Sequence, residues 1–258
     1  MGAAPLRHFQ PWESVGTAVS GHTLYGNPVE CCPGKLTIHS RDTGMRIEIA
    51  APHSVHWGAV DIVAKAVSLF FSAVDPALWS KAPCRGVRID IAPGDLPVTS
   101  LPYWKAHLDG RHTSAGRLFA KMSAVSSPYP DSRGYARCVL RERLLLTPQH
   151  RDPVWPVLHE LGHILFFYCI PRTDWRPGGL LDRLYWKRLI HEEAYPSRYA
   201  AQNPQEYQAE AVAIYLLARA GSRWIMEHDA PLASYLAKLF PERRIAHAHA
   251  AVTGRLVA

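Results

Sequence analysis

Residues 157–168, VLHELGHILFFY, constrain this chain more than any other stretch. They are apolar except for His159, Glu160 and His163, and their flanks predict a helix. Upstream, Asp152-Pro153 reads as a helix start, with the aspartate as N-cap and the proline at the first position, where its missing N–H does no harm. Pro156 still falls in the first turn, among N–H groups with no intrahelical partner. Ile170 before Pro171 ends the helix. On such a helix His159 and His163 lie one turn apart on one face, so both imidazoles can reach a single ion. Glu160 projects about 100° around, close enough to address a water on that ion.

The pattern is HExxH, a zinc metallopeptidase signature. Imidazole suits a borderline-soft divalent ion, and two helical ligands leave room for a third ligand and a water. In a chain with 14 His and 11 Glu the pattern arises by chance in about 3% of cases, so the setting has to carry the reading. Leu158, Leu161, Ile164, Leu165 and Phe166 would hold two histidines and an acid in a poorly solvated place, where a ligated ion explains them better than an unpaired cluster. Gly162 costs about 1 kcal/mol in a helix interior, which implies close approach of another element.

At 258 residues, with 48% hydrophobic and 20% charged side chains, the chain has ample material for a core. Its N-terminus, MGAAPLRHFQPWESVG, lacks the basic-then-apolar pattern of a secretory signal. Leu6 stands where a myristoylation motif wants Ser or Thr. No apolar run approaches the roughly 20 residues of a membrane span. Five scattered cysteines form neither a disulfide framework nor a CxxC zinc pattern. The expectation is a cytoplasmic protein, or one delivered by a non-classical route. A net charge of +7 permits acidic partners, but the basic residues are dispersed and RRIAHAHA is the nearest thing to a cluster, so nucleic acid is not favoured as a partner.

Residues 1–34, rich in Gly, Pro and His, read as an irregular N-terminal segment ahead of a single domain over 35–258. Within it, 35–150 is the β-rich part and 151–258 the helical part. KLTIHS and MRIEIA alternate around a turn at Asp42-Thr43-Gly44 and predict a hairpin. Apolar residues recur at helical spacing from Val60 to Leu78. VRIDIA (87–92) is a further strand, and RCVLRERLLLTP (137–148) a third strand or a longer hairpin. Strands first and helices later predict an α+β fold whose strands are mostly antiparallel.

A metzincin is excluded, because Phe166 and Cys169 stand where HExxHxxGxxH needs Gly and His. Downstream donors are Asp182, His191, Glu192, Glu193, Glu206 and Glu210. The segment NPQEYQAEAVAIYLLARAG (203–221) predicts a helix with Asn203 as N-cap and Gly221 as its end. On it Glu206 and Glu210 lie one turn apart, able to supply one ligand and one acceptor for a ligand histidine. The competing reading makes Glu206 the N3 partner in a capping box.

HELGH at 159–163, followed after 42 residues by EYQAEA at 206–211, resembles the gluzincin arrangement of the anthrax lethal factor catalytic domain and the Pro-Pro endopeptidases. The resemblance implies a zincin-like fold and one catalytic zinc, with Glu206 as third ligand beside His159 and His163. It implies that Glu160 is the general base, that Tyr199 steadies the oxyanion, and that Glu210 supports a ligand from behind. Gln208 stands where that family usually carries an aromatic. The implied activity is a zinc-dependent endopeptidase acting on a protein or peptide, in the setting of a bacterial toxin or effector. The alternatives are a catalytically silent binding module on the same fold and a zinc hydrolase of a nonprotein amide. A strand within 137–146 is expected to pair with extended substrate, and Gly178-Gly179 to form a turn or a hinge beside the cleft.

Overall fold

The computed structural model describes residues 22–24, 27–32, 34–52, 54–113, 116–147, 152–191, 193–217 and 221–253. Its strands are β1 (His22–Leu24), β2 (Asn27–Cys32), β3 (Lys35–His39), β4 (Arg46–Ala50), β5 (Gly86–Ala92), β6 (Ala124–Ser126) and β7 (Tyr135–Arg141). Before the HELGH segment come the helices α1 (Trp57–Ala73), α2 (Pro76–Trp79), α3 (Pro102–Leu108) and α4 (Glu142–Leu146). From there on the chain is helical, with α5 (Trp155–Tyr168), α6 (Arg172–Trp175), α7 (Leu180–Ile190), α8 (Pro204–Leu217), α9 (Gly221–His228), α10 (Ala230–Leu239) and α11 (Glu242–Thr253).

The α+β expectation holds. The strands form one sheet in the order β1-β2-β3-β4-β5-β7-β6. Four of its six pairings are antiparallel, and the β4–β5 and β5–β7 pairings are parallel. The hairpin β3–β4 turns where Gly44 takes φ +66°, a left-handed conformation that glycine adopts without a Cβ clash. Residues 1–34 differ from the expected irregular segment, since β1 and β2 extend the sheet there; residues 1–21 lie outside the described residues.

Alternation along the strands gives the sheet two unlike faces. Leu36, Ile38, Ile47, Ile49, Val87, Ile89, Cys138 and Leu140 line one face and enter the main core with α1 and α5. Each such side chain, fully buried, contributes about 1.5–3 kcal/mol. The opposite face carries paired charges instead. Glu48 meets Lys35 at 2.9 Å, Arg46 at 3.3 Å and Arg88 at 3.4 Å, and Arg137 pairs with Asp90. Over that face sits a smaller core of Ala92, Val98, Trp104, Val125 and Val139. Trp104 donates its indole N–H to Asp90 at 2.9 Å.

Several element boundaries differ from those the sequence predicts. The helix expected over 60–78 breaks after Ala73, because Asp75-Pro76 starts α2, with Asp75 accepting from Ala77 N at 2.9 Å. Segment 137–148 is not a strand throughout. Beyond Arg141 it becomes α4, where the buried Glu142 carboxylate accepts from His56 N and Gly94 N, each at 2.6 Å. Asp152 caps a turn at Val154 N (3.0 Å) rather than the helix itself, and α5 begins at Trp155. Within the described residues α8 ends at Leu217, and Gly221 opens α9 instead of closing α8.

Gly162 is where α5 and α8 touch. A Cβ there would lie 3.1 Å from Ala209 Cα, 3.2 Å from Ala209 O and 3.3 Å from Val212 Cβ. Gly162→Val therefore overpacks a tight helix–helix contact and is expected to cost about 1–3 kcal/mol. A lowered urea midpoint with unchanged m-value is the signature to look for.

Candidate metal centre

Two helices bring the three donors together. The i, i+4 spacing on α5 turns the imidazoles of His159 and His163 the same way, with their Nε2 atoms 3.1 Å apart. On α8, Asn203 caps the helix by accepting from Glu206 N at 2.9 Å. The Glu206 carboxylate points away from that cap, and its Oε2 lies 3.0 Å from His159 Nε2 and 3.4 Å from His163 Nε2. The capping reading is thus right for Asn203, while the Glu206 side chain turns to the histidines. His159, His163 and Glu206 are the one group of three potential metal donors found among the described residues.

These separations suit a metal. Zinc bonds of 2.0–2.1 Å in tetrahedral geometry set donor atoms about 3.3 Å apart, against the 3.0, 3.1 and 3.4 Å found here. Two Nε2 atoms face to face either share one proton or aim both lone pairs at one guest. Glu206 Oε2 is buried and receives no well-aligned hydrogen bond from the described residues. A buried carboxylate oxygen met only by poorly aligned donors is incompletely satisfied, and a cation held by this oxygen and the two ring nitrogens would satisfy it.

Glu210 stands behind His159. Its Oε1 is 3.0 Å from His159 Nδ1, a short contact bent from linear, and accepts from Trp155 Nε1 at 3.1 Å. A carboxylate there favours the tautomer with its proton on Nδ1, leaving Nε2 free to ligate. Glu160 is buried beside this group, and Ser126 Oγ lies 2.6 Å from its Oε2 and 3.0 Å from its backbone oxygen. Sheet register explains the Ser126 contact. Ser126 pairs with Cys138, whose side chain is on the face covered by α5. Tyr199 flanks the site, its ring centroid 5.4 Å from that of His159.

Electrostatics follow from three acids gathered round two imidazoles. Burial favours a neutral His159, but the Glu206 and Glu210 carboxylates and the Glu160 charge overcome it and raise the ring to about 10. Burial pushes Glu206 up, and the two histidines more than offset this, holding it well below the usual carboxylate range. Glu160 is raised, with burial outweighing the two imidazoles and the Ser126 hydrogen bond. Burial, reinforced by Glu206 and Glu160, also raises the Tyr199 phenol, keeping it a donor at neutral pH.

A testable consequence concerns protons. The Glu206 and Glu210 carboxylates favour the protonated form of His159 at neutral pH without metal, so a dication must displace that proton. Zinc uptake at neutral pH is expected to release about one proton from this ring, and apparent affinity to rise about tenfold per pH unit between pH 6 and 8. Calorimetry in buffers of different ionisation enthalpy measures the release directly.

The remaining sequence candidates lie elsewhere. Asp182 accepts from Gly178 N at 2.7 Å and Trp186 Nε1 at 3.0 Å. His191 is an exposed residue at the end of α7, and Glu193 faces Arg188 at 3.6 Å. Glu192 lies outside the described residues. Gly178-Gly179 makes a tight turn, with Gly178 at φ +81° and no room for a Cβ on Gly179, where Asp174 O would lie 2.5 Å away. Gln208 is buried, and its Nε2 finds no partner among the described residues. Two contributors escape a motif search. Trp155 has a signal, being four residues before His159 on the same helix face. Ser126 has none, because only the sheet register brings it to α5.

No protein-family model matches this chain, and no curated protein does. Among solved structures it is similar to the PRO-PRO endopeptidase of Paenibacillus alvei, at 18% identity and a TM-score of 0.49, over 74% of this chain and 97% of that one. The chemistry of the site rests on its own side chains.

Proposed function

We propose that this protein is a zinc-dependent endopeptidase of the gluzincin type, with a zincin-like fold. The observation that carries the proposal is the closure of His159, His163 and Glu206 into a triangle of zinc dimensions with buried Glu160 beside it. Zinc held by these three side chains would polarise a peptide carbonyl and acidify a water. Glu160, its affinity for a proton raised by burial, accepts the water's proton and later passes it to the leaving amine. Ser126 keeps its carboxylate from turning away. Tyr199 donates its hydroxyl to the developing oxyanion.

An extended substrate needs a strand edge with free N–H and C=O groups. The expected strand, within 137–146, does not provide one, because β7 is paired by β5 on one side and β6 on the other. Among the described residues the sheet ends at β6, and β6 carries Ser126. We assign substrate pairing to that edge. A further role as a bacterial toxin or effector protease rests on the resemblance of HELGH and EYQAEA alone.

The test is cleavage of a diverse peptide library by the zinc-loaded protein, with Glu160→Gln as control. A second variant probes the oxyanion donor. Tyr199→Phe keeps the ring beside His159 but removes the hydroxyl, and is expected to lower kcat by about 10²–10³ with KM little changed. Unaltered kcat would remove Tyr199 from the chemistry.

A further inference from the structure

Helix α7 buries one side only. Leu181, Tyr185 and Arg188 turn inward, while Trp186, Leu189 and Ile190 stand outside at 46%, 48% and 73% exposure. Positions 186, 189 and 190 are three and four residues apart, so they share a face. A single exposed apolar residue is ordinary, but three large ones side by side at a helix end form a patch that asks for a partner.

Exposed charge around the patch is mostly basic. Arg183 and Lys187 are exposed on α7, and Arg172 and Arg176 are exposed just before it. Among the described residues the acids of the segment are already hydrogen-bonded: Asp182 with Gly178 N and with the Trp186 indole of the patch itself, Asp174 with Tyr235 OH at 3.0 Å; Glu192 lies outside the described residues. Glu193, past the helix, faces Arg188. The Trp186 N–H is therefore already satisfied within its own helix, and the ring can leave water without stranding a donor. An aromatic and two aliphatic side chains flanked by long cationic ones match the layering of a lipid surface, acyl boundary beneath anionic headgroups.

We propose that the outer face of α7 docks on anionic membranes. Trp186, Leu189 and Ile190 enter the headgroup–acyl boundary, and Arg183 and Lys187 meet the headgroups. The docked helix is close to the metal centre. It packs on α8, which carries Glu206, and α6 before it reaches His163 through Trp175 and Phe167, whose rings are 6.0 Å apart, with Phe167 stacked 5.8 Å from His163. Docking would hold the His159, His163 and Glu206 group near the bilayer. The inference stands on exposure and charge and does not depend on what the metal centre does.

Co-sedimentation of the full-length protein with vesicles tests it, comparing phosphatidylcholine alone with a mixture containing phosphatidylserine, at about 0.1 M salt. Wild type is expected to bind the anionic vesicles at least about tenfold tighter than the neutral ones. The double variant Arg183→Gln/Lys187→Gln is expected to lose about thirtyfold in that affinity, and Leu189→Glu/Ile190→Glu to lose binding to both compositions. Zinc content and melting temperature equal to wild type show that a variant has kept its fold; Ile190→Ser, at the most exposed position, replaces the double apolar variant if that one does not fold. Absence of wild-type binding to anionic vesicles overturns the proposal, as does binding unchanged by these substitutions. A wild-type dimer that becomes monomeric in Leu189→Glu/Ile190→Glu overturns it too, and assigns the face to a second copy of the chain.

Discussion

Glu160→Gln is expected to lower peptide cleavage by about 10²–10⁴-fold while zinc stays bound at one per chain. The substitution is nearly isosteric, so the Ser126 contact, 2.6 Å from Glu160 Oε2, can be kept by an amide oxygen. What disappears is a group able to accept a proton. Glu160 is not among the three donors of the candidate metal centre, so metal affinity should not follow activity. Burial raises the carboxyl, and the ionised base therefore forms at a higher pH than for a solvent-exposed glutamate. With zinc held saturating at every pH, activity should accordingly fall on acidification through that raised value, and this acid limb should be absent from the residual activity of the variant. Zinc analysis beside library cleavage separates the outcomes. Stoichiometric zinc with no peptide cut by wild type would point to the silent module or the nonprotein amide hydrolase. Full activity in the variant would remove Glu160 from the mechanism.

Glu206→Gln is expected to lower zinc affinity by about 10²–10³-fold. Apparent binding energies of four-ligand structural zinc sites, about 10–16 kcal/mol, divide into about 2.5–4 kcal/mol per ligand. Glutamine keeps the length of the side chain and removes the charge that His159 and His163 face at 3.0 and 3.4 Å. The His159 ring should titrate lower as well, because Glu206 is the foremost group raising it. Glu210→Gln is the comparison. Acting through His159 Nδ1 rather than on the metal, it should cost only about 10–100-fold. Competition against a chelator of known affinity reads both variants. Equal losses, or none for Glu206→Gln, would mean that the third donor is not Glu206.

Local chemistry made part of this legible in advance. Helical spacing put His159 and His163 on one face, Asn203-Pro204 marked the start of α8, and Gly162 announced a close approach that proves to be Ala209 of α8. Alternation found the β3–β4 hairpin and β5. What failed was short or ambiguous. β6 is three residues long, too few to show a period, and it lay unseen in a stretch of Gly, Ser and Pro. Segment 137–148 is apolar enough for either element, and the switch to α4 comes where the Glu142 carboxylate finds the backbone N–H groups of His56 and Gly94, 86 and 48 residues away.

The division between sequence and tertiary structure runs through the metal centre itself. Sequence alone determined the half-site HELGH, because residues four apart on a helix meet whatever surrounds them. For the other half it determined a helix with two acids one turn apart, and left open whether Glu206 would turn back to its cap or outward to the two histidines. Only the packing of α8 on α5 at Gly162 decided that, by bringing its carboxylate within 3.0 Å of His159. The same holds for Ser126 on Glu160 and Trp155 on Glu210. Contacts between residues 34 and 55 positions apart are set by sheet register and helix docking, and these arise from the burial of the whole core rather than from any local pattern.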